Sequence, residues 1–120
     1  YNKNIIIHYL LMGVIVELQK RNEFKDFVKA HKNVLVKIGA TWCGPCKRAA
    51  PYFKHYYNAI AEKVDLVVVD ADEGDDICAA LKVKGVPIYL FYQDSLPMEI
   101  VNTSDQNEIK VFFEKVYSLL

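Results

Sequence analysis

The chain has 120 residues, 52% of them hydrophobic and 25% charged, and 15 Lys plus Arg balance 15 Asp plus Glu. That length and mixture fit one globular domain with a hydrophobic core of its own. The zero net charge excludes the basic footprint of a general nucleic-acid binder and supplies no attraction to anionic membranes or acidic substrates.

The sequence opens on Tyr1 rather than Met, which suggests a trimmed N-terminus. Residues 5–16, IIIHYLLMGVIV, are apolar but shorter than the roughly 20 residues of a membrane-spanning helix. They lack a basic leader and an Ala-x-Ala-like cleavage site. The expected reading is a strand preceded by an apolar extension, with a truncated targeting or anchor segment as the alternative. Met12-Gly13 does not start a myristoylation signal, because Glu17 stands where Ser or Thr is required. Residues 1–12 are therefore read as an N-terminal extension that could join a larger assembly, and 13–120 as the domain. No clear membrane span is expected. The expected compartment is the cytoplasm, with organellar or secretory targeting by a missing N-terminal segment left open.

Val14 to Leu18 reads as a first strand. Asn22 is the expected N-cap of a helix over Glu23 to His31, with Phe24, Phe27 and Val28 at helical spacing. Val34 to Ile38 is a β-branched and aliphatic run, interrupted by Lys37, that suits a central strand covered on both faces. Cys43 to about Glu62 predicts a long helix kinked at Pro51. Val64 to Asp70 is the next buried strand, and Asp75 to Lys82 a short helix with Ile77, Cys78 and Leu81 inward. Pro87 opens a strand over Ile88 to Tyr92, and Met98 to Val101 predicts an edge strand. Ser104 or Asp105 caps a last helix that carries Ile109, Phe112, Phe113 and Val116. The alternation predicts an α/β domain, with parallel crossovers in the first half and an antiparallel hairpin in the second.

The chemistry gathers at Trp42-Cys43-Gly44-Pro45-Cys46. Three cysteines, an odd number without dispersed spacing, argue against a secreted disulfide framework. Cys43 follows a strand and a short loop and opens a helix. The unpaired N–H groups and about half a positive charge at a helix start favour thiolate over thiol. Cys46 lies one turn on, within reach of the Cys43 sulfur. Cys43 would attack a substrate disulfide; Cys46 would then attack the mixed disulfide and release reduced substrate. Pro45 limits backbone freedom between them. A zinc half-site is the competing use of such a pair, and an inert reduced pair a third. A structural zinc usually needs four ligands, whereas Cys78 is isolated and His8, His31 and His55 show no ligand spacing. No metal is expected.

At these residues the sequence resembles the thioredoxin family. Ala40 to Pro51, ATWCGPCKRAAP, is similar to the family's active-site loop and helix, and Gly-Pro between the cysteines resembles the reducing members. Gly85-Val86-Pro87 resembles the loop that carries the family's cis-proline, and Asp70 and Asp72 in VVVDADE match as well. The resemblance implies a thioredoxin fold, a central mixed β-sheet flanked by helices, and reduction of protein disulfides. It implies Cys43 as nucleophile and Cys46 as resolving thiol, together a redox-active disulfide. Trp42, Gly44, Pro45, Val86 and Pro87 would meet the substrate chain, and Asp72 would hydrogen-bond near the Trp42 side chain. Trp42 as simple packing and Asp72 as an ordinary turn residue are the bland alternatives. No bound cofactor is implied; electrons would come from a separate NADPH-dependent flavin enzyme, a thioredoxin reductase. The partners are thus oxidised proteins and that reductase, not nucleic acid. A thioredoxin-like binding or assembly subunit is the alternative function.

The sequence departs from the family in three places. Lys37 stands six residues before Cys43, where members usually bury an acid that helps manage the resolving thiol's proton. A buried lysine loses its charge or pairs with an anion; as a cation it would favour a nearby thiolate, and as a neutral amine it could act as a base. Alternatively it snorkels to water and has no part in catalysis. Ile88 replaces a common Thr, and Asn102-Thr103 replaces a common Gly, so both bear on the shape of the substrate groove. Cys78 is expected to be a small buried core residue, with a secondary regulatory thiol as the alternative.

Overall fold

A computed structural model describes residues 13–120. The predicted extension over 1–12, and the assembly role attached to it, lie outside the described residues. Two apolar strands organise the rest. β2 (Asn33–Gly39) pairs in parallel with β3 (Asp65–Asp70), register Val36 to Val67. β1 (Ile15–Glu17) adds in parallel to the other side of β3. β4 (Ile88–Gln93) runs antiparallel to β2, and β5 (Leu96–Asn102) antiparallel to β4, giving the order β1-β3-β2-β4-β5. β5 is an edge strand, as predicted, and longer than Met98 to Val101. A register shift between Phe91 and Tyr92 bulges its pairing with β4.

The helices cover both faces, and the period-2 alternation of β2 shows how they divide. Val34, Val36 and Ile38 pack with Phe24 and Val28 of α1 (Arg21–Ala30) and Ile77 of α3 (Asp75–Leu81). Leu35 packs the other way, with Phe53 of α2 (Gly44–Asn58) and with α4 (Gln106–Leu119). The four predicted α4 residues, Ile109, Phe112, Phe113 and Val116, are all buried, and Asp105 is the cap, accepting from Glu108 N at 3.0 Å. Lys37 falls on the α2/α4 face.

Two helix limits differ from expectation by more than one residue. Asn22 does not cap α1, which starts at Arg21, two residues before the expected Glu23, with Lys20 as its cap. Lys20 N donates to Glu23 Oε1 at 3.1 Å, and Arg21 donates from both backbone N and Nε to the Asp76 carboxylate at 2.8 Å. A partner 55 residues away thus fixes that helix start. α2 keeps Pro51 within it but ends at Asn58, not Glu62. The chain then turns so that Ile60 and Val64 enter the core under the sheet. No described helix is long and apolar enough to cross a membrane.

Tyr89 on β4 is buried against Phe53 and Phe112, and burial pushes its hydroxyl up to about 12. An unfolded tyrosine ionises near pH 10. The stabilisation is therefore complete below pH 10 and is lost as pH rises towards 12, because the unfolded chain sheds that proton first. Tyr57 and Tyr92 are shifted the same way by burial. The urea midpoint should fall steeply between about pH 10 and 12, and Tyr89→Phe should flatten the slope. An unchanged slope in that variant would contradict this origin.

Candidate active site

The cysteine pair sits where β2 hands over to α2. β2 ends at Gly39, the chain turns through Ala40 to Trp42, and Cys43 N donates to Ala40 O at 3.2 Å. Cys43 has extended backbone (φ −85°, ψ 110°) and is the N-cap, its sulfur accepting from Cys46 N at 3.1 Å. The cap role usually falls to a Ser or Asp oxygen; here a sulfur fills it. Pro45 fits in the first turn, where no backbone donor is required. Cys43 and Cys46 are disulfide-bonded, with Cα atoms 5.3 Å apart. Cys43 is 3% exposed, and Cys46 half-buried.

Cys43 opens into a groove of about 500 Å³ that also has Trp42, Gly44, Pro45, Asp72 and Val86 in its walls. Trp42 is 67% exposed, and its Nε1 donates to Asp72 Oδ2 at 2.8 Å. Asp70 steadies that loop, Oδ1 accepting from the Asp72 and Glu73 amides at 2.9 and 3.0 Å. On the opposite wall the Val86–Pro87 peptide is cis, and Val86 O lies 3.7 Å from Cys43 Sγ. Pro87 itself is buried and is not one of the groove's walls.

The departures resolve differently. Ile88 packs into the α1/α3 core and not the groove. Asn102 Nδ2 donates to Gly85 O at 2.7 Å and so ties β5 to the cis-proline loop. Cys78 packs against the α1/α3 core, as expected of a small core residue, but is not fully covered. It is half-buried and lies in the groove wall with Ala71, Val83 and Lys84. Burial raises its thiol above the ordinary value, with Asp75 and Asp70 adding to the shift, so thiolate is disfavoured there. Sequence reasoning missed these walls because α3 and its exit loop reach the site only through the sheet.

Behind the pair lies a second cavity of about 530 Å³, bounded by Cys46, Lys37, Glu17, Asp70 and Lys47 among others. A Cβ on Gly39 would stand 3.5 Å from Cys46 Sγ, so a longer side chain there would press on that sulfur. Lys37 Nζ lies 5.2 Å from the Phe53 ring centroid, a cation–π distance. Burial lowers its ionisation below the ordinary lysine value. Among the described residues, no three or more His, Cys, Asp or Glu side chains are placed to hold a metal ion.

Comparison with known proteins gives a consistent result. The family model Thioredoxin matches residues 14–115. Thioredoxin-2 of Pyricularia oryzae is 39% identical over 77 residues, 64% of this chain and 44% of that protein. The bifunctional thioredoxin reductase/thioredoxin of Mycobacterium leprae is 29% identical, over 72% of this chain and 19% of that protein. This chain therefore spans less than half the length of either. Thioredoxin-1 of Schizosaccharomyces pombe is 33% identical over 72% of this chain and 82% of its own length. A crystal structure of thioredoxin from Trypanosoma brucei brucei superposes with a TM-score of 0.77 at 18% identity, covering 90% of this chain and 92% of that one. That likeness concerns the fold.

Proposed function

This chain belongs to the thioredoxin family, and from that premise we propose that it is a dithiol–disulfide oxidoreductase that reduces protein disulfides through Cys43 and Cys46. The observation that carries the proposal is the sulfur of Cys43 held at a helix start, accepting a backbone amide and facing a groove. In the reduced form that amide and the helix dipole favour thiolate at Cys43. The thiolate attacks one sulfur of a substrate disulfide, forming a Cys43–substrate bond while the other substrate sulfur leaves with the electron pair. Cys46 loses its proton and attacks Cys43 Sγ. The mixed disulfide breaks, substrate departs as a second thiolate, and the Cys43–Cys46 bond described above is the product. Two electrons have passed from protein to substrate.

Trp42, Gly44 and Pro45 form one side of the substrate site and the Val86 backbone the other, where an extended chain would add like a strand. Pro87 acts from beneath by shaping Val86, and Asp72 acts by holding Trp42. Lys37 tunes the proton of Cys46 through the rear cavity. Residues 13–120 form the catalytic domain, placed in the cytoplasm. No bound cofactor is needed. Electrons return from a separate NADPH-dependent flavin enzyme; the name of the Mycobacterium leprae relative, which joins a reductase and a thioredoxin in one protein, supports a partner of that kind.

Insulin precipitation driven by dithiothreitol tests the activity. The chain should shorten the lag well below that of the Cys43→Ser, Cys46→Ser double variant. Equal lags would defeat the proposal.

A further inference from the structure

Lys37 belongs to a row of side chains that crosses the sheet. Glu17 on β1 is in register with Val68 on β3, Val68 with Lys37 on β2, and Lys37 with Tyr89 on β4. Residues in register share a face, so all four point towards α2. The Glu17 and Lys37 backbones are two strand spacings apart, about 10 Å, Glu17 is exposed, and both stems are long enough to reach across that gap. Val68 between them is short, and the rear cavity occupies the space above it.

Four charged groups face that cavity: Glu17 from β1, Lys37 from β2, Asp70 from β3 and Lys47 from α2. Asp70 has one oxygen committed to the Asp72 and Glu73 amides. Tyr89, on the far side of Lys37, holds its proton to about pH 12 and stays neutral. Cys46 meets the same cavity from α2.

We propose that Glu17 is a positioning residue for the resolving step: its carboxylate is the counter-charge of the Lys37 ammonium, and through Lys37 it sets the pH at which Cys46 attacks the mixed disulfide. This rests on the reading of Lys37 given above. In that step Cys46 gives its proton to water, its sulfur bonds to Cys43 Sγ, and the Cys43–substrate bond breaks with its electron pair on the substrate sulfur. Burial drives Lys37 towards the neutral amine; a carboxylate brought across the cavity to its ammonium would oppose that drift. A charged Lys37 lets Cys46 ionise at lower pH, and a neutral one does not.

The test uses the full chain with Glu17→Gln, Lys37→Met and both together, and Glu73→Gln as a carboxylate outside the cavity. Two quantities are read against pH: the Lys37 13Cε shift, and the rate of substrate release from the mixed disulfide in single turnover. Glu17→Gln should lower the Lys37 midpoint by about half a pH unit and raise the midpoint of the resolving rate by a similar amount. Glu73→Gln should move neither, and Glu17→Gln should add nothing once Lys37 is Met. An unmoved Lys37 titration in Glu17→Gln overturns the pairing. An equal shift of the resolving rate in the Met background overturns the route through Lys37. A Lys37→Met rate profile that overlays the unmodified chain would instead defeat the earlier reading of Lys37, and the 13Cε titration would still decide whether Glu17 and Lys37 are paired.

Discussion

Cys46→Ser is expected to stop turnover and leave the substrate covalently attached to Cys43. The serine hydroxyl occupies nearly the same volume but does not attack a disulfide under these conditions, since exchange requires a thiolate. What supports Cys43 is the backbone amide of residue 46, at 3.1 Å from its sulfur, and a side-chain change leaves that donor in place. The first half of the reaction should therefore proceed and the second should fail. Insulin reduction should fall to the rate of dithiothreitol alone, while a non-reducing gel shows a protein–substrate adduct that free thiol releases. Cys43→Ser should fall to the same rate and form no adduct. If Cys46→Ser formed none either, the amide at the helix start would not be what sustains the Cys43 thiolate.

Phe53→Ala should cost about 3–5 kcal/mol of stability, a large part of the 5–15 kcal/mol typical of a whole domain. Phe53 is 4% exposed. Its ring stacks on Tyr89 with centroids 4.9 Å apart, lies 5.8 Å from Tyr57 and meets Phe113 edge-on at 5.5 Å. It thus joins α2 to β4 and to α4 at once, and little around it can collapse into the space it would leave. A fall in Tm of about 10–25 °C follows from that cost, measurable by circular dichroism, with Phe53→Leu falling less. The same ring lies against the Lys37 ammonium, so the substitution also removes that contact. A Tm loss of only a degree or two would mean that α2 is held mainly elsewhere.

The features legible in the sequence were those encoded locally. The runs at Val34 to Ile38 and Val64 to Asp70 are apolar at nearly every position, as strands covered on both faces must be, and they became the sheet centre. The cysteine spacing, the proline in the first turn and the cap of the last helix act within a few residues of themselves; the cap fell on Asp105, one of the two candidates, Ser104 and Asp105. The misses were set at a distance. Asn22 looked like a cap, but Asp76 on another helix fixed the start of α1. The end of α2 was decided by the need to bring Ile60 and Val64 under the sheet, which no local pattern expresses. Cys78 carries the spacing of an inward residue and does pack against the core, but it also lines the groove, which its spacing does not express. Lys37 was visible as an anomaly, but the Phe53 ring beside it and the cavity it shares with Glu17 became visible only through helix packing and strand register.

The outer strand β5 bears on how such a molecule lives among its clients. Leu96, Met98 and Ile100 are exposed along it at 61%, 40% and 63%, a pattern that in a flat edge would capture loose polypeptide. Partly opened chains are the species most ready to add to a bare sheet. Three details blunt this one: Pro97 removes a backbone donor, the register shift bends the ladder, and Glu99 would face its own like charge if two copies paired about it. These features disfavour the addition of an extended chain along β5, and leave the cysteine groove as the place where the proposed reaction would receive one. Selectivity against aggregation is built into the edge, far from the sulfur chemistry it protects.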